Sequence, residues 1–203
     1  MESIKIKRIA VFGGSFNPPH VGHVSVLRTV AGSGLADEIW VMPSGERRDK
    51  TIGVSGADRL EMVRRMVADI SSELQLPLII SDFELCRGGL TATYETKKLL
   101  EDEYPDTEFY FVIGSDAANG MLEKWVNGEA LYNEGRFIIV TCDDEDSFEL
   151  PPRGIVLKNL GAKKVVEVSS TMIRAAVLDK KEIDIYTTPG VAKYILDKNL
   201  YIP

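Results

Sequence analysis

The chain has 203 residues, 44% of them hydrophobic and 27% charged, a balance typical of a globular protein with a substantial buried core. Its formal charge of −7 argues against a nucleic-acid binder, which would be basic, but leaves room for a local basic pocket. No apolar run reaches the length of a membrane span, and no signal-peptide core precedes the first apolar run. We therefore expect a cytoplasmic protein without membrane contact.

The two cysteines, Cys86 and Cys142, lie far apart and lack the CxxC spacing of a zinc site. We interpret them as buried free thiols in a reducing compartment. The length suits one domain. We expect residues 1–203 to form a single unit, with a C-terminal helical part, from about residue 170 to residue 203, packed on it.

The chain begins with a strand pattern followed by a helix pattern. A β-branched run over residues 4–12 stops at a glycine pair, which predicts a buried first strand. From about Val21 apolar residues recur at helical spacing, and GSG at 32–34 predicts the end of that helix. Residues 38–43, EIWVMP, form the second predicted strand.

The same alternation continues to the C-terminus. Ser55 and Asp58 predict the N-terminus of a helix whose apolar face runs to Ile70. The remaining predicted elements are strands at 77–81, 108–114, 136–142 and 164–169 and helices at 93–103, at 170–178 and from Pro189 onward. Such βαβ units predict a doubly wound, Rossmann-like α/β fold with a mainly parallel sheet and helices on both faces.

Ligands of such sheets bind beyond the carboxyl ends of the strands. The candidate segments are therefore 13–23, 43–50, 114–116 and 169–174. Unusual residues concentrate in these four segments, which indicates a binding site at that edge of the sheet.

The segment FGGSFNPPHVGH contains both histidines of the chain, His20 and His23, at the predicted start of the first helix. The preceding Gly13 and Gly14 allow a sharp turn, and free N–H groups at a helix start suit a phosphate. Two alternatives are that the histidines are structural, or that HxxH binds a metal. The metal reading lacks further ligands at suitable spacing, so we favour phosphate binding and expect no protein-held metal ion.

GGSFNPPHVGH resembles the GxFxPxHxGH signature of the nucleotidyltransferase superfamily, and VSSTMIR at 168–174 resembles its (I/V)SSTxIR motif. Three further segments, LTATYETKKLL, IGSDAANGMLEKW and TPGVAKYILDKNLY, resemble bacterial nicotinate-nucleotide adenylyltransferases. The resemblance spans nearly the whole chain. It implies an enzyme of NAD biosynthesis in which the phosphate of nicotinate mononucleotide attacks the α-phosphorus of ATP, and nicotinate adenine dinucleotide and pyrophosphate form.

The resemblance also implies roles for particular residues. His20, His23 and Arg174 would be catalytic. The ATP-binding residues would be these three together with Gly14, Ser15, Phe16, Asp116, Ser169 and Thr171. Thr93, Trp125 and Lys50 would bind the mononucleotide, and Mg²⁺ would enter with ATP as part of the substrate.

Two positions depart from the family pattern. Asp49 stands where a histidine is usual, and Gly128 stands where a second tryptophan is frequent. Nicotinamide mononucleotide, or another phosphorylated acceptor, is therefore an alternative substrate, and a non-catalytic nucleotide-binding protein is a further alternative. A core related to aminoacyl-tRNA synthetases is disfavoured, because the chain is short and acidic. The sequence leaves the oligomeric state open, including a homo-oligomer.

Overall fold

A computed structural model describes residues 6–46, 53–141, 148–159 and 168–202. The strands in these residues are β1 (Lys7–Gly14), β2 (Glu38–Pro43), β3 (Leu78–Ile80), β4 (Thr107–Gly114), β5 (Arg136–Thr141) and β6 (Gly154–Lys158). The helices are α1 (Val21–Gly32), α2 (Gly56–Ile70), α3 (Phe83–Arg87), α4 (Thr93–Glu103), α5 (Ser115–Asn119), α6 (Met121–Lys124), α7 (Gly128–Glu134), α8 (Ser170–Leu178) and α9 (Pro189–Asp197). None of these helices is long and apolar enough to cross a membrane.

The strands form one parallel sheet in the order β3-β2-β1-β4-β5-β6, which confirms the doubly wound α/β fold. Neighbouring residues of β1 face opposite ways: Ala10 and Phe12 enter one buried cluster, and Ile9 and Val11 enter the other. Helices α1, α2, α8 and α9 contribute to the first cluster, and α4 and α7 to the second. Burial on both faces explains why the central strands are continuously apolar.

The long helices begin and end close to where the sequence predicts. Helices α4 and α8 span the predicted 93–103 and 170–178, and α9 begins at Pro189. At the start of α2 the Ser55 hydroxyl accepts a hydrogen bond from the Asp58 backbone N–H at 3.0 Å, so the predicted cap is confirmed.

Some predictions fail or lie outside the described residues. Cys86 is exposed and free, so its assignment as a buried thiol is wrong: it lies on the short helix α3 at the surface. Most of the predicted strand at 164–169, and Cys142, fall outside the described residues. The sequence does not predict β6, an edge strand whose Val156 is 45% exposed, or the short helices α3, α5, α6 and α7. Helices of four to seven residues are too short to show a period.

The strand order determines where along the sheet a ligand-binding crevice can form. The chain leaves β1 toward β2 and β3 and later returns to β4 on the other side of β1. The helices that follow β1 and β4 therefore lie on opposite faces, and a crevice opens between the two carboxyl ends. Those ends are Gly14 and Gly114.

The junction between α6 and α7 has no room for a side chain at Gly128. This glycine is buried, and a Cβ placed on it would lie 2.2 Å from the Met121 carbonyl oxygen and 3.1 Å from that of Leu122. A tryptophan, frequent in the resembled family, does not fit this backbone.

We therefore expect Gly128→Ala to lower the free energy of unfolding by roughly 1–3 kcal/mol, because backbone atoms must shift to admit the methyl group. Gly32→Ala is the matched control, since a Cβ at Gly32 meets no atom within 4 Å. Urea unfolding of the two variants and the parent chain measures the difference. A Gly128→Ala midpoint equal to that of the parent would contradict the packing argument.

Candidate active site

The turn between β1 and α1, residues 13–20, is held in an uncommon backbone conformation. Phe16 has φ +44°, which a bulky residue adopts only when its surroundings impose it. Its ring is 1% exposed and packs edge-on against Phe12 with 5.6 Å between ring centroids. Burial of this ring fixes the turn. We call residues 13–20 the corner.

The carbonyl groups of the corner are bound by side chains from distant parts of the chain. The hydrogen bonds are Arg59 Nη1 to the Ser15 oxygen (3.0 Å), Arg174 Nη1 to Asn17 (2.8 Å), Ser170 Oγ to Pro18 (2.8 Å) and Thr187 Oγ1 to Pro19 (2.7 Å). The C=O and N–H of a trans peptide point in opposite directions. A carbonyl held against the scaffold therefore turns the N–H of the same peptide, where one exists, to the other side.

His20 and His23 lie together at the start of α1, as the sequence predicts. Their ring centroids are 3.7 Å apart, and His23 also packs against Phe16 at 4.9 Å. The His20 backbone N–H donates to Nδ1 of His23 at 3.0 Å. Because Nδ1 accepts, neutral His23 carries its proton on Nε2.

Burial lowers the pKa of His20 to about 4, because the imidazolium form loses its hydration. Its buried Nδ1 has no hydrogen-bond partner and lies over Gly22, where a Cβ would come within 2.9 Å of it. His20 is therefore neutral at physiological pH in the unliganded chain.

The second motif begins helix α8 beside the corner. The Ser169 hydroxyl caps α8 by accepting from the Met172 backbone N–H at 3.2 Å. Arg174 donates to the Thr171 hydroxyl at 3.0 Å as well as to the Asn17 carbonyl oxygen. The two motifs, far apart in the sequence, thus meet through Arg174.

A cavity of about 650 Å³ lies at the carboxyl ends of β1, β2 and β4. Four residues to which the family resemblance gives a binding role line it, namely Gly14, Thr93, Asp116 and Trp125, and so does Gly13. His20, His23, Ser169, Thr171 and Arg174 are not among its lining residues. Phe12 joins the two regions, since it lines the cavity and its ring centroid lies 5.9 Å from that of His23.

Glu84, on α3, is a wall residue of this cavity that the sequence analysis missed. Its Oε2 accepts from the Gly45 backbone N–H at 3.2 Å and from the Thr91 hydroxyl at 2.9 Å. Its Oε1 accepts from the Thr96 hydroxyl at 2.7 Å. One carboxylate thus ties the segment after β2, the segment before α4 and α4 itself into one wall.

Lys50 and Asp49 lie outside the described residues, so their predicted place at this edge stays a prediction. Within the described ranges, no group of three or more His, Cys, Asp or Glu side chains is arranged to hold a metal ion. Asp116, in the first turn of α5, is the exposed carboxylate beside the cavity.

Comparison with known proteins identifies the family. The model of the cytidylyltransferase-like family matches residues 11–176. A protein of Shouchella clausii is 31% identical over 198 residues, covering 97% of each chain, and one of Bacillus licheniformis is 33% identical over 199 residues, covering 97% of this chain and 99% of the relative. Both are named probable nicotinate-nucleotide adenylyltransferase. The chain belongs to this adenylyltransferase family.

Solved structures agree with the assignment to this family of nucleotidyltransferases. The nicotinic acid mononucleotide adenylyltransferase of Plasmodium falciparum in complex with NaAD has a TM-score of 0.80 and 27% identity, and the alignment covers 96% of this chain and 97% of that one. The same enzyme in complex with APC has a TM-score of 0.81 and 26% identity over the same shares. The resemblance noted in the sequence is thereby confirmed.

The low pKa of His20 makes the stability of this adenylyltransferase depend on pH. The folded pKa of about 4 lies below the ordinary value of 6.5, so the unfolded chain takes up a proton first as the pH falls. The contribution of neutral His20 is therefore complete above pH 6.5 and is lost as the pH falls toward 4. From pH 7 to 5 we expect His20 to account for a loss of about 2 kcal/mol.

The control is His20→Asn, because asparagine suits the N-cap position that His20 occupies and does not titrate in this range. Urea unfolding at pH 7 and pH 5 should show the parent losing about 2 kcal/mol more than the variant. Equal losses in the two proteins would show that His20 is not held neutral by the fold.

Proposed function

We propose that the cavity and the corner together form the site at which the adenylyl group of ATP passes to the phosphate of nicotinate mononucleotide. The observation that carries this proposal is their junction at the carboxyl ends of β1 and β4. The cavity suits a mononucleotide by volume, and the corner suits a polyphosphate by its backbone. The products are nicotinate adenine dinucleotide and pyrophosphate, as in NAD biosynthesis.

The reaction needs positioning more than it needs a nucleophilic side chain. The mononucleotide phosphate is already an anion and attacks the α-phosphorus of ATP directly, while the bond from that phosphorus to the β-phosphate oxygen breaks. The protein therefore has to hold two polyanions in line and stabilise the charge of the transferring group.

At the corner we assign Gly14, Ser15 and Phe16 to the phosphates of ATP through their backbone N–H groups. His23 presents its Nε2 proton, because Nδ1 already accepts from the His20 N–H. In this assignment, His20 and His23 are the catalytic imidazoles. Negative charge of the bound triphosphate raises the pKa of His20 and so favours its protonated, donating form.

We assign the start of α8 to the triphosphate as well, with Ser169, Thr171 and Arg174 as the contacting residues. One Nη of Arg174 is bound to Asn17 and the other to Thr171. A guanidinium has five N–H donors, so the side chain retains donors for phosphate oxygens while it holds the corner.

The mononucleotide occupies the cavity in this proposal. Trp125, which is half-buried, and Thr93 at the start of α4 flank the pyridine ring. Asp116, which also lines the cavity, is assigned to ATP and accepts hydrogen bonds from ribose hydroxyls. Lys50 remains a predicted contact of the mononucleotide.

Mg²⁺ is proposed to arrive with ATP. Among the described residues, Asp116 is not part of any group of three or more side chains that could hold a metal ion. In this proposal phosphate oxygens and water would supply most of the ligands of Mg²⁺. The ion would neutralise charge on the phosphates. A single domain, a cytoplasmic location and the absence of a nucleic-acid partner remain predictions of the sequence, which leaves the oligomeric state open.

The acceptor is tested by pyrophosphate release from ATP with one mononucleotide at a time. Nicotinate and nicotinamide mononucleotides differ by a carboxylate against a neutral amide, and the wrong group leaves buried partners unpaired. We expect kcat/KM to be at least about tenfold higher for nicotinate mononucleotide, which is about 1.4 kcal/mol in transition-state binding. A preference for the amide would change the assigned substrate, and no release with any acceptor would favour a non-catalytic nucleotide-binding protein.

The two substrate regions are separated by a pair of variants. Trp125→Ala should raise KM for the mononucleotide and leave KM for ATP nearly unchanged, because Trp125 lines the cavity and not the corner. Arg174→Ala should raise KM for ATP and leave KM for the mononucleotide nearly unchanged. Arg174→Lys should restore ATP binding only in part, since lysine lacks the forked N–H donors of a guanidinium. Steady-state kinetics with each substrate varied in turn measures both effects. If both variants shifted the same KM, the division of the site would be wrong.

A further inference from the structure

Arg59, on the first turns of α2, is a buried cation directly behind the corner. It is 3% exposed, and its Nη1 donates to the Ser15 carbonyl oxygen at 3.0 Å. Its Nε is buried without a hydrogen-bond partner. Among the described residues no carboxylate forms an ion pair with it.

A guanidinium that is buried without an ion pair is energetically unusual. Burying a charge is strongly unfavourable unless a counter-charge and hydrogen bonds compensate it. Lys97, which is 5% exposed, shows the ordinary arrangement, with Glu101 at 2.7 Å and Glu134 at 3.7 Å from its Nζ. Glu84, a carboxylate whose charge acts on Arg59, already accepts three hydrogen bonds from other groups.

An anion that compensates the charge of Arg59 can bind on the opposite side of the corner. Arg59 holds the carbonyl of the peptide that joins Ser15 to Phe16, so the N–H of that peptide points away from Arg59. The rare φ of Phe16 keeps the peptide in this orientation. An anion bound to that N–H would lie across a single peptide unit from the guanidinium.

We propose that Arg59 is a positioning residue of the triphosphate site, which orients the Ser15–Phe16 peptide toward the phosphates and whose charge the phosphates compensate. The inference rests on the proposed function, because it takes the corner to be the place of the triphosphate. Arg59 acts through the peptide and does not itself touch the reacting atoms.

Two substitutions of Arg59 separate the effect of its positive charge from that of its planar, forked guanidinium. Arg59→Met keeps an unbranched side chain in the buried position and removes the charge, and Arg59→Lys keeps the charge without the planar fork. Arg64→Met is the matched control, because it makes the same change on the same helix at a side chain that is 54% exposed. All three variants are compared with the parent chain.

Calorimetry measures binding of pyrophosphate and ATP, and competition against ATP measures binding of adenosine. For Arg59→Met we expect affinity for pyrophosphate and ATP to fall by about tenfold or more, while adenosine binding changes less than about twofold. Arg59→Lys should lose less, and Arg64→Met should match the parent. A merely structural arginine would weaken all three ligands together.

Unchanged pyrophosphate affinity in Arg59→Met, or equal losses for adenosine and pyrophosphate, would overturn the proposal. Should the Arg59→Met chain not fold, Arg59→Gln decides, because glutamine removes the charge and keeps an N–H donor: a selective loss of pyrophosphate affinity supports the proposal, and parental affinity overturns it. These readouts need no turnover. A parent chain that binds ATP and pyrophosphate yet forms no dinucleotide would refute the proposed function and leave the role of Arg59 standing.

Discussion

The structure depends on the direction in which the peptide groups of one turn point. Peptides of the corner turn their carbonyl oxygens inward, where Arg59, Ser170, Arg174 and Thr187 bind them. A buried carbonyl without a donor is costly, so these side chains fix the turn as firmly as its own backbone does. Two of these four peptides precede a proline and have no N–H, and the N–H of His20 donates to His23. The anchoring therefore aims one N–H away from the scaffold, that of Phe16 in the Ser15–Phe16 peptide.

The two halves of the site are built on different principles. At the corner, rigidity comes from a buried aromatic ring and from long-range hydrogen bonds to main-chain atoms. In the cavity, a single carboxylate, Glu84, connects loop, helix and strand end through two hydroxyl groups and one amide. The first arrangement suits a ligand defined by charge, and the second suits a ligand defined by shape and ring chemistry.

The sequence predicts the parts of this structure that rest on local pattern. Helix α4 and strand β2 occupy the predicted residues because periodicity and turn residues mark both ends. The histidine pair is found because two histidines in one short segment are conspicuous. Arg59 and Glu84 are not found, since on sequence alone an arginine in a helix and a glutamate after a strand are typical of solvated surface. Their roles come from partners far away in the chain, which no local pattern reports.

The anchoring of the corner also has a consequence for the order in which the molecule is made. The Thr187 hydroxyl donates to the Pro19 carbonyl oxygen across 168 positions of sequence. The Tyr201 hydroxyl donates to the side-chain oxygen of Asn17 across 184 positions. During synthesis the corner leaves the ribosome well before these partners, which follow it by 168 and 184 residues. The sheet has its central strands long before the corner has its anchors. In a nascent chain the corner therefore acquires these two anchors only after residues 187 and 201 have emerged, by which point helices α8 and α9 of the first buried cluster have emerged as well.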